Sequence, residues 1–153
     1  MKKYILLLAI LIMFLSTSLA FGAGSSVTET SMVNYGDISV LTLDWVSDDA
    51  TGAVSATTGT AATNFITGKY IIMVETDPGV TAPTDDYDIT ITDARGVDIM
   101  GGSLANRDTT NTEQAIPYVG AAYSPRPVIG ALTLNVTNAG NSKVGSVIIY
   151  LSR

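Results

Sequence analysis

Hydrophobic and polar positions alternate with a period of two along most of this chain, and no segment sustains a helical period. Ile38 to Val46 sets Leu41, Leu43 and Trp45 on one face and Thr42 and Asp44 on the other. Tyr87 to Thr92 is the cleanest case, with Tyr87, Ile89 and Ile91 facing one way and Asp88, Thr90 and Thr92 the other. Lys69 to Thr76 is apolar on both faces, Ile71 and Met73 opposing Tyr70, Ile72 and Val74, which marks a central strand. Two hairpins are expected. In the first, Asp93-Ala94-Arg95-Gly96 turns the chain and Val97 to Met100 returns. In the second, Asn138-Ala139-Gly140-Asn141 joins Val128–Thr137 to Val144–Leu151.

Weaker patterns fill the gaps. Val27 to Val33 is Thr-rich and reads as an edge strand closed by Asn34-Tyr35-Gly36-Asp37. Ala53 to Asn64 is poor in large side chains and reads as a weak edge strand or a loop. Ile116 to Val119 contains Pro117, which restricts it to an edge or the start of a strand. A single helical turn is expected around Thr112-Glu113-Gln114. About seven to nine short strands separated by regular turns predict an all-β fold, an antiparallel β-sandwich of jelly-roll or Ig-like type. A small closed β-barrel is the alternative.

The N-terminus changes the domain picture. Lys2 and Lys3 precede an apolar run from Tyr4 to Leu15, and Ser18 and Ala20 supply small residues at −3 and −1. That is the order of parts in a secretory signal peptide cleaved after Ala20. Extended to Phe21, the run just reaches membrane-spanning length, so a retained anchor is the other reading. The expected organisation is a leader over 1–20, an N-terminal arm or edge strand over 21–37, and the sandwich over 38–153. The expected location is periplasmic or extracellular, with no membrane association after cleavage.

Charge and composition then exclude function classes. The net charge is −6, and the positive residues beyond the leader (Lys69, Arg95, Arg107, Arg126, Lys143 and Arg153) are scattered. No basic face for nucleic-acid phosphates can be assembled from them. The chain has neither His nor Cys, which removes Ser-His-Asp and Cys-His catalysis, thiolate zinc sites and disulfides. Only carboxylates remain for acid–base work, from Glu29, Glu75, Glu113 and the aspartates. Trp45, the single Trp, lies on an apolar strand face and reads as core rather than as a sugar platform. No enzyme is expected, and no cofactor. Asp77, Asp85, Asp86 and Asp88 are the one candidate metal site, as oxygen ligands for calcium, although their spacing is not that of an EF-hand.

One resemblance adds to this reading. It is carried by Leu43-Asp44-Trp45-Val46-Ser47-Asp48, by Thr76-Asp77-Pro78-Gly79, and by the run from Ala82 through Tyr87 and Asp93 to Gly102. Ala105-Asn106-Arg107-Asp108, Leu132 to Gly140 and Ile148-Ile149-Tyr150-Leu151 continue it. In this order the segments resemble a family of small structural proteins of tailed-bacteriophage and prophage virions. The resemblance implies a non-enzymatic, all-β component present in many copies, whose partners are its own copies or other structural proteins. Virions assemble in the host cytoplasm, so the export signal is a departure from that pattern. A secreted β-sandwich binding module, calcium-dependent through the four aspartates, is the alternative.

Overall fold

The structure, a computed structural model, describes residues 24–153; the leader read at 1–20 and its cleavage point lie outside the described residues. The chain forms two antiparallel sheets packed face to face, with no closed barrel. The first sheet runs in the order β1 (Ser26–Tyr35), β2 (Ile38–Val46), β11 (Val144–Ser152), β4 (Tyr70–Pro78) and β6 (Glu113–Ala115). β9 (Arg126–Pro127) pairs with the start of β4. The second sheet is β3 (Val54–Thr57), β10 (Thr133–Thr137) and β5 (Asp88–Thr92). β7 (Tyr118–Val119) and β8 (Ala122–Tyr123) make a separate ribbon, and α1 (Thr60–Ile66) links β3 to β4.

The alternation in the sequence becomes the core. Leu41, Leu43 and Trp45 of β2 are buried beside Val147, Ile149 and Leu151 of β11. From the opposite sheet come Val54, Ile89, Ile91, Leu134 and Val136. β4 breaks the simple pattern because its register against β11 steps from Met73↔Tyr150 to Ile71↔Leu151, leaving Ile72 as a bulge. Ile71 and Val74, read from the sequence on opposite faces, are therefore both buried.

Several local expectations are corrected. β10 and β11 do not form a hairpin: β10 lies between β3 and β5, and β11 between β2 and β4. Both strands bury the same alternate positions toward one core, so periodicity gave their faces and not their sheets. The return at Val97–Met100 is cut short: it keeps the bridge Thr92↔Asp98 and the backbone bonds from the Asp93 N–H to the Val97 carbonyl and from the Ile99 N–H to the Ile91 carbonyl, but builds no strand. The Asp93 carboxylate accepts from the N–H groups of Arg95 and Val97, and that of Asp98 accepts from Met100 and Gly102, which curls the chain away from a ladder. Thr112-Glu113-Gln114 is extended rather than helical, because Glu113–Ala115 complete the β4 ladder. The only helix among the described residues is α1, built where the sequence suggested an edge strand or loop. Its Ala62 and Ile66, four residues apart, are buried, and Gly68 at φ +81° ends it.

One close approach fixes the register of the central strands. Gly145 lies opposite Trp45 in the β2–β11 ladder, and a Cβ there would come within 2.6 Å of the indole Cζ2. Gly145→Ala therefore forces the indole or β11 to move, and the expected cost is about 1–3 kcal/mol. Urea denaturation measures it; a variant as stable as the parent contradicts this packing.

Candidate functional site

The aspartates are mostly loop-builders. Asp88 opens β5 with both carboxylate oxygens engaged: one accepts from the Asn106 N–H at 3.0 Å and the other from Asn138 Nδ2 at 3.0 Å. It thus ties the 101–112 loop and the β10–β11 connection to the second sheet. Asp77, at the end of β4, accepts from Thr112 Oγ1 at 2.7 Å. Asp85 and Asp86 occupy an exposed turn, Asp86 in left-handed backbone at φ +61°. The expected calcium set Asp77, Asp85, Asp86 and Asp88 is therefore not gathered into a donor shell, and no three carboxylates converge among the described residues. Two of the four are spent on neighbouring chain segments, which spacing alone could not reveal.

The glutamates are engaged in the same way. Glu29 of β1 accepts from the Gly59 N–H at the start of α1, and Glu75 accepts from Gln114 Nε2 at 2.9 Å. Glu113 accepts from the Asp108 N–H at 2.8 Å and pairs with Arg107 at 3.5 Å. Arg107 in turn donates to the Ala105 carbonyl and, through its backbone, to that of Tyr87. Burial pushes the Tyr87 hydroxyl up to about 12; the Arg107 guanidinium opposes the rise, and Glu113, Asp77 and Asp108 reinforce it. At the other end of β4, the Lys69 ammonium sits 3.9 Å over the Phe65 ring and donates to Ser39 Oγ. Burial, then Arg153, lowers its pKa.

Two surfaces remain that the fold does not use up. β1 is the edge strand of the larger sheet, as the Val27–Val33 pattern suggested, and β2 is its only strand partner among the described residues. Its second half stands clear of the core on both faces, with Met32, Val33 and Tyr35 exposed. β3, at the edge of the smaller sheet, flanks a groove beside β1 that Val27, Glu29 and Leu43 also line. The opposite flank of the larger sheet is broken up by the short strands β6 and β9 and by the projecting β7–β8 ribbon. That ribbon turns through Gly120 and Ala121, both at positive φ, as a two-residue type I′ connection requires. Between the ribbon and the Gly101–Gly102 loop lies an open cleft of about 450 Å³. The sequence analysis did not find it. Its only sequence signal is the pair of tyrosines spaced around Gly120-Ala121.

No family model, no curated protein and no solved structure matches this chain.

The loop aspartates contribute to the pH dependence of stability in acid. Asp48, Asp93 and Asp108 all lie below the usual aspartate value, because backbone N–H groups, first those of Thr51, Val97 and Thr110, donate to their carboxylates. A depressed folded value contributes stability that is present above the unfolded value of about 3.9 and lost as pH falls through the folded one. With no His in the chain, the urea midpoint should stay level between about pH 7 and about pH 5 and drop below about pH 4. A decline already complete at about pH 5 contradicts this assignment.

Proposed function

We propose that this chain is a non-enzymatic structural subunit that assembles in many copies, as the resemblance to phage virion components implies, and that it acts after export. The observation that carries the reading is the unequal treatment of the two edges of the larger sheet. β6 and β9 are three and two residues long, and Pro117, Pro125 and Pro127 interrupt the chain around them. Short strands and prolines are the usual protection against edge-to-edge pairing. β1 is ten residues long and contains no Lys, Arg or Pro. Its one bulge, at Thr30, leaves Ser31–Tyr35 uninterrupted.

On this reading the β1 edge joins two copies into a two-fold dimer, the building unit of the larger assembly. Antiparallel pairing about a two-fold axis through Val33 sets Val33 opposite its own counterpart, Met32 opposite Asn34 and Ser31 opposite Tyr35. Ser31–Tyr35 holds no charged residue, so no like charges are opposed within the paired stretch. Engaged glutamates and uncollected aspartates support the non-enzymatic part of the reading, since each carboxylate pair that acid–base catalysis requires must face a shared substrate.

The expected mass of the full chain in solution is that of an oligomer, measured by light scattering or sedimentation. Val33→Lys should give monomers while leaving the urea midpoint nearly unchanged, because an exposed edge charge costs the fold less than about 0.5 kcal/mol. A parent chain that is monomeric at ~1 mM overturns the reading, since even an association of about −4 kcal/mol would be populated there. The export part has its own check. Mass spectrometry of the protein recovered from outside the cytoplasm should find Phe21 as the first residue, and an intact Met1 chain found only in the cytoplasm contradicts it.

A further inference from the structure

The cleft beside the β7–β8 ribbon has a lining that selects a ligand class. Gly101, Gly102, Gln114, Ile116, Tyr118 and Tyr123 surround it, and none of its lining residues is charged. An anion would lack a cation to meet it, and a metal would lack carboxylates. A wholly apolar ligand would leave the polar groups of the lining unpaired. What remains is a neutral molecule that presents both apolar faces and hydroxyl groups.

The aromatic pair fits that description. The rings of Tyr118 and Tyr123 lie 4.9 Å apart and tilted by 52°, and Tyr123 is 71 % exposed. An aromatic ring left this far in water has its face free for stacking, while each phenolic hydroxyl both donates and accepts. Gln114 lines the cleft with its Nε2 donated to Glu75, and a side-chain amide oxygen accepts hydrogen bonds.

The cleft is also preformed. The Tyr118 N–H donates to the Met100 carbonyl at 3.0 Å. A Cβ on Gly101, which sits at φ +63°, would fall 1.8 Å from the Tyr118 carbonyl oxygen, so ribbon and loop touch at a spacing that only glycine permits. At the ribbon's tip Ala121 is held at φ +67°, a conformation Gly or Asn adopts at lower cost. The cleft volume of about 450 Å³ lies within the range of small-molecule sites, roughly 300–1,000 Å³.

We propose that this cleft binds a neutral saccharide, with a sugar ring stacked on Tyr123 and Tyr118 and its hydroxyl groups bonded to Gln114 and to the tyrosine hydroxyls. This site is independent of assembly through β1, and a monomeric chain would still carry it. The test is an array of neutral oligosaccharides probed with the full chain, followed by calorimetry on the strongest binder. Tyr123→Ala, at an exposed position that the core does not need, should weaken binding at least tenfold, and Tyr118→Ala should do the same. Tyr70→Ala, 44 % exposed at the start of β4 and outside both proposed surfaces, should leave affinity unchanged, and unchanged thermal unfolding of Tyr123→Ala separates lost contact from lost fold. Decaproline is the competing probe, because aromatic grooves also take polyproline helices. Absence of array binding, indifference to both tyrosine substitutions, or binding of decaproline in place of the sugars overturns the proposal.

Discussion

The whole sandwich depends on how Trp45 is seated. Its indole lies over Gly145 on one side and meets the Tyr87 ring on the other, with centroids 5.9 Å apart at 50°. Trp45 belongs to the larger sheet and Tyr87 immediately precedes β5 of the smaller one, so a single aromatic pair sets the spacing between the two sheets. Its Nε1–H is buried without a hydrogen-bond partner among the described residues. An unsatisfied buried donor costs about 1–3 kcal/mol, so the indole is present for its volume rather than for its polar atom. The neighbouring chain is bound in at the same point. Ser47 Oγ donates to the Gly140 carbonyl at 2.6 Å and accepts from the Lys143 N–H at 2.8 Å, which holds the β10–β11 connection against the end of β2.

From that end outward, the loops of this cysteine-free chain are organised by carboxylates. Asp48, Asp93, Asp98 and Asp108 each accept from two backbone N–H groups within a few residues, and Asp88 reaches further, to Asn106 and Asn138. Charge-assisted bonds of this kind are stronger than neutral ones and satisfy donors that irregular backbone leaves free. The acidic composition thus has a structural cause. It reflects the number of sharp loops a short-stranded sandwich must close, and it creates no concentrated negative site.

The strands were legible in the sequence wherever burial is one-sided. Leu41, Leu43 and Trp45 face the core as their spacing indicated, and so do Tyr87, Ile89 and Ile91. Which sheet each strand joins was not legible, because β10 and β11 show the same alternation and differ only in the partners that long-range packing selects. α1 escaped notice because two buried residues, Ala62 and Ile66, are too few to make a helical period visible in a Thr- and Gly-rich stretch. The 97–102 segment was misread because Asp93 and Asp98 compete for the N–H groups that a hairpin would have used. The candidate sites divide likewise. The β1 edge follows from strand pattern, whereas the cleft depends on the fold bringing Gly101 under the Tyr118 carbonyl, contacts that no local pattern encodes.

The two proposed surfaces have one origin in the larger sheet. A flat sheet has two edges, and each must be covered, interrupted or left available. On the β4 flank the chain interrupts the edge: it leaves the sheet after β6, turns out through the β7–β8 ribbon, and returns only for the two residues of β9. A detour of that shape cannot lie flat. It stands off the sheet and encloses space between itself and the Gly101–Gly102 loop, so protection of the edge and formation of the cleft are one structural event. On the β1 flank nothing comparable intervenes among the described residues, and Met32, Val33 and Tyr35 stay exposed. Were both edges meant to stay unpaired, charge or proline along β1 would have been the simplest device, yet its only charge is Glu29, already bonded to the Gly59 N–H, and Ser31–Tyr35 holds neither charge nor Pro. The asymmetry therefore favours pairing of two copies through the β1 edge, with the cleft carried outward on the other.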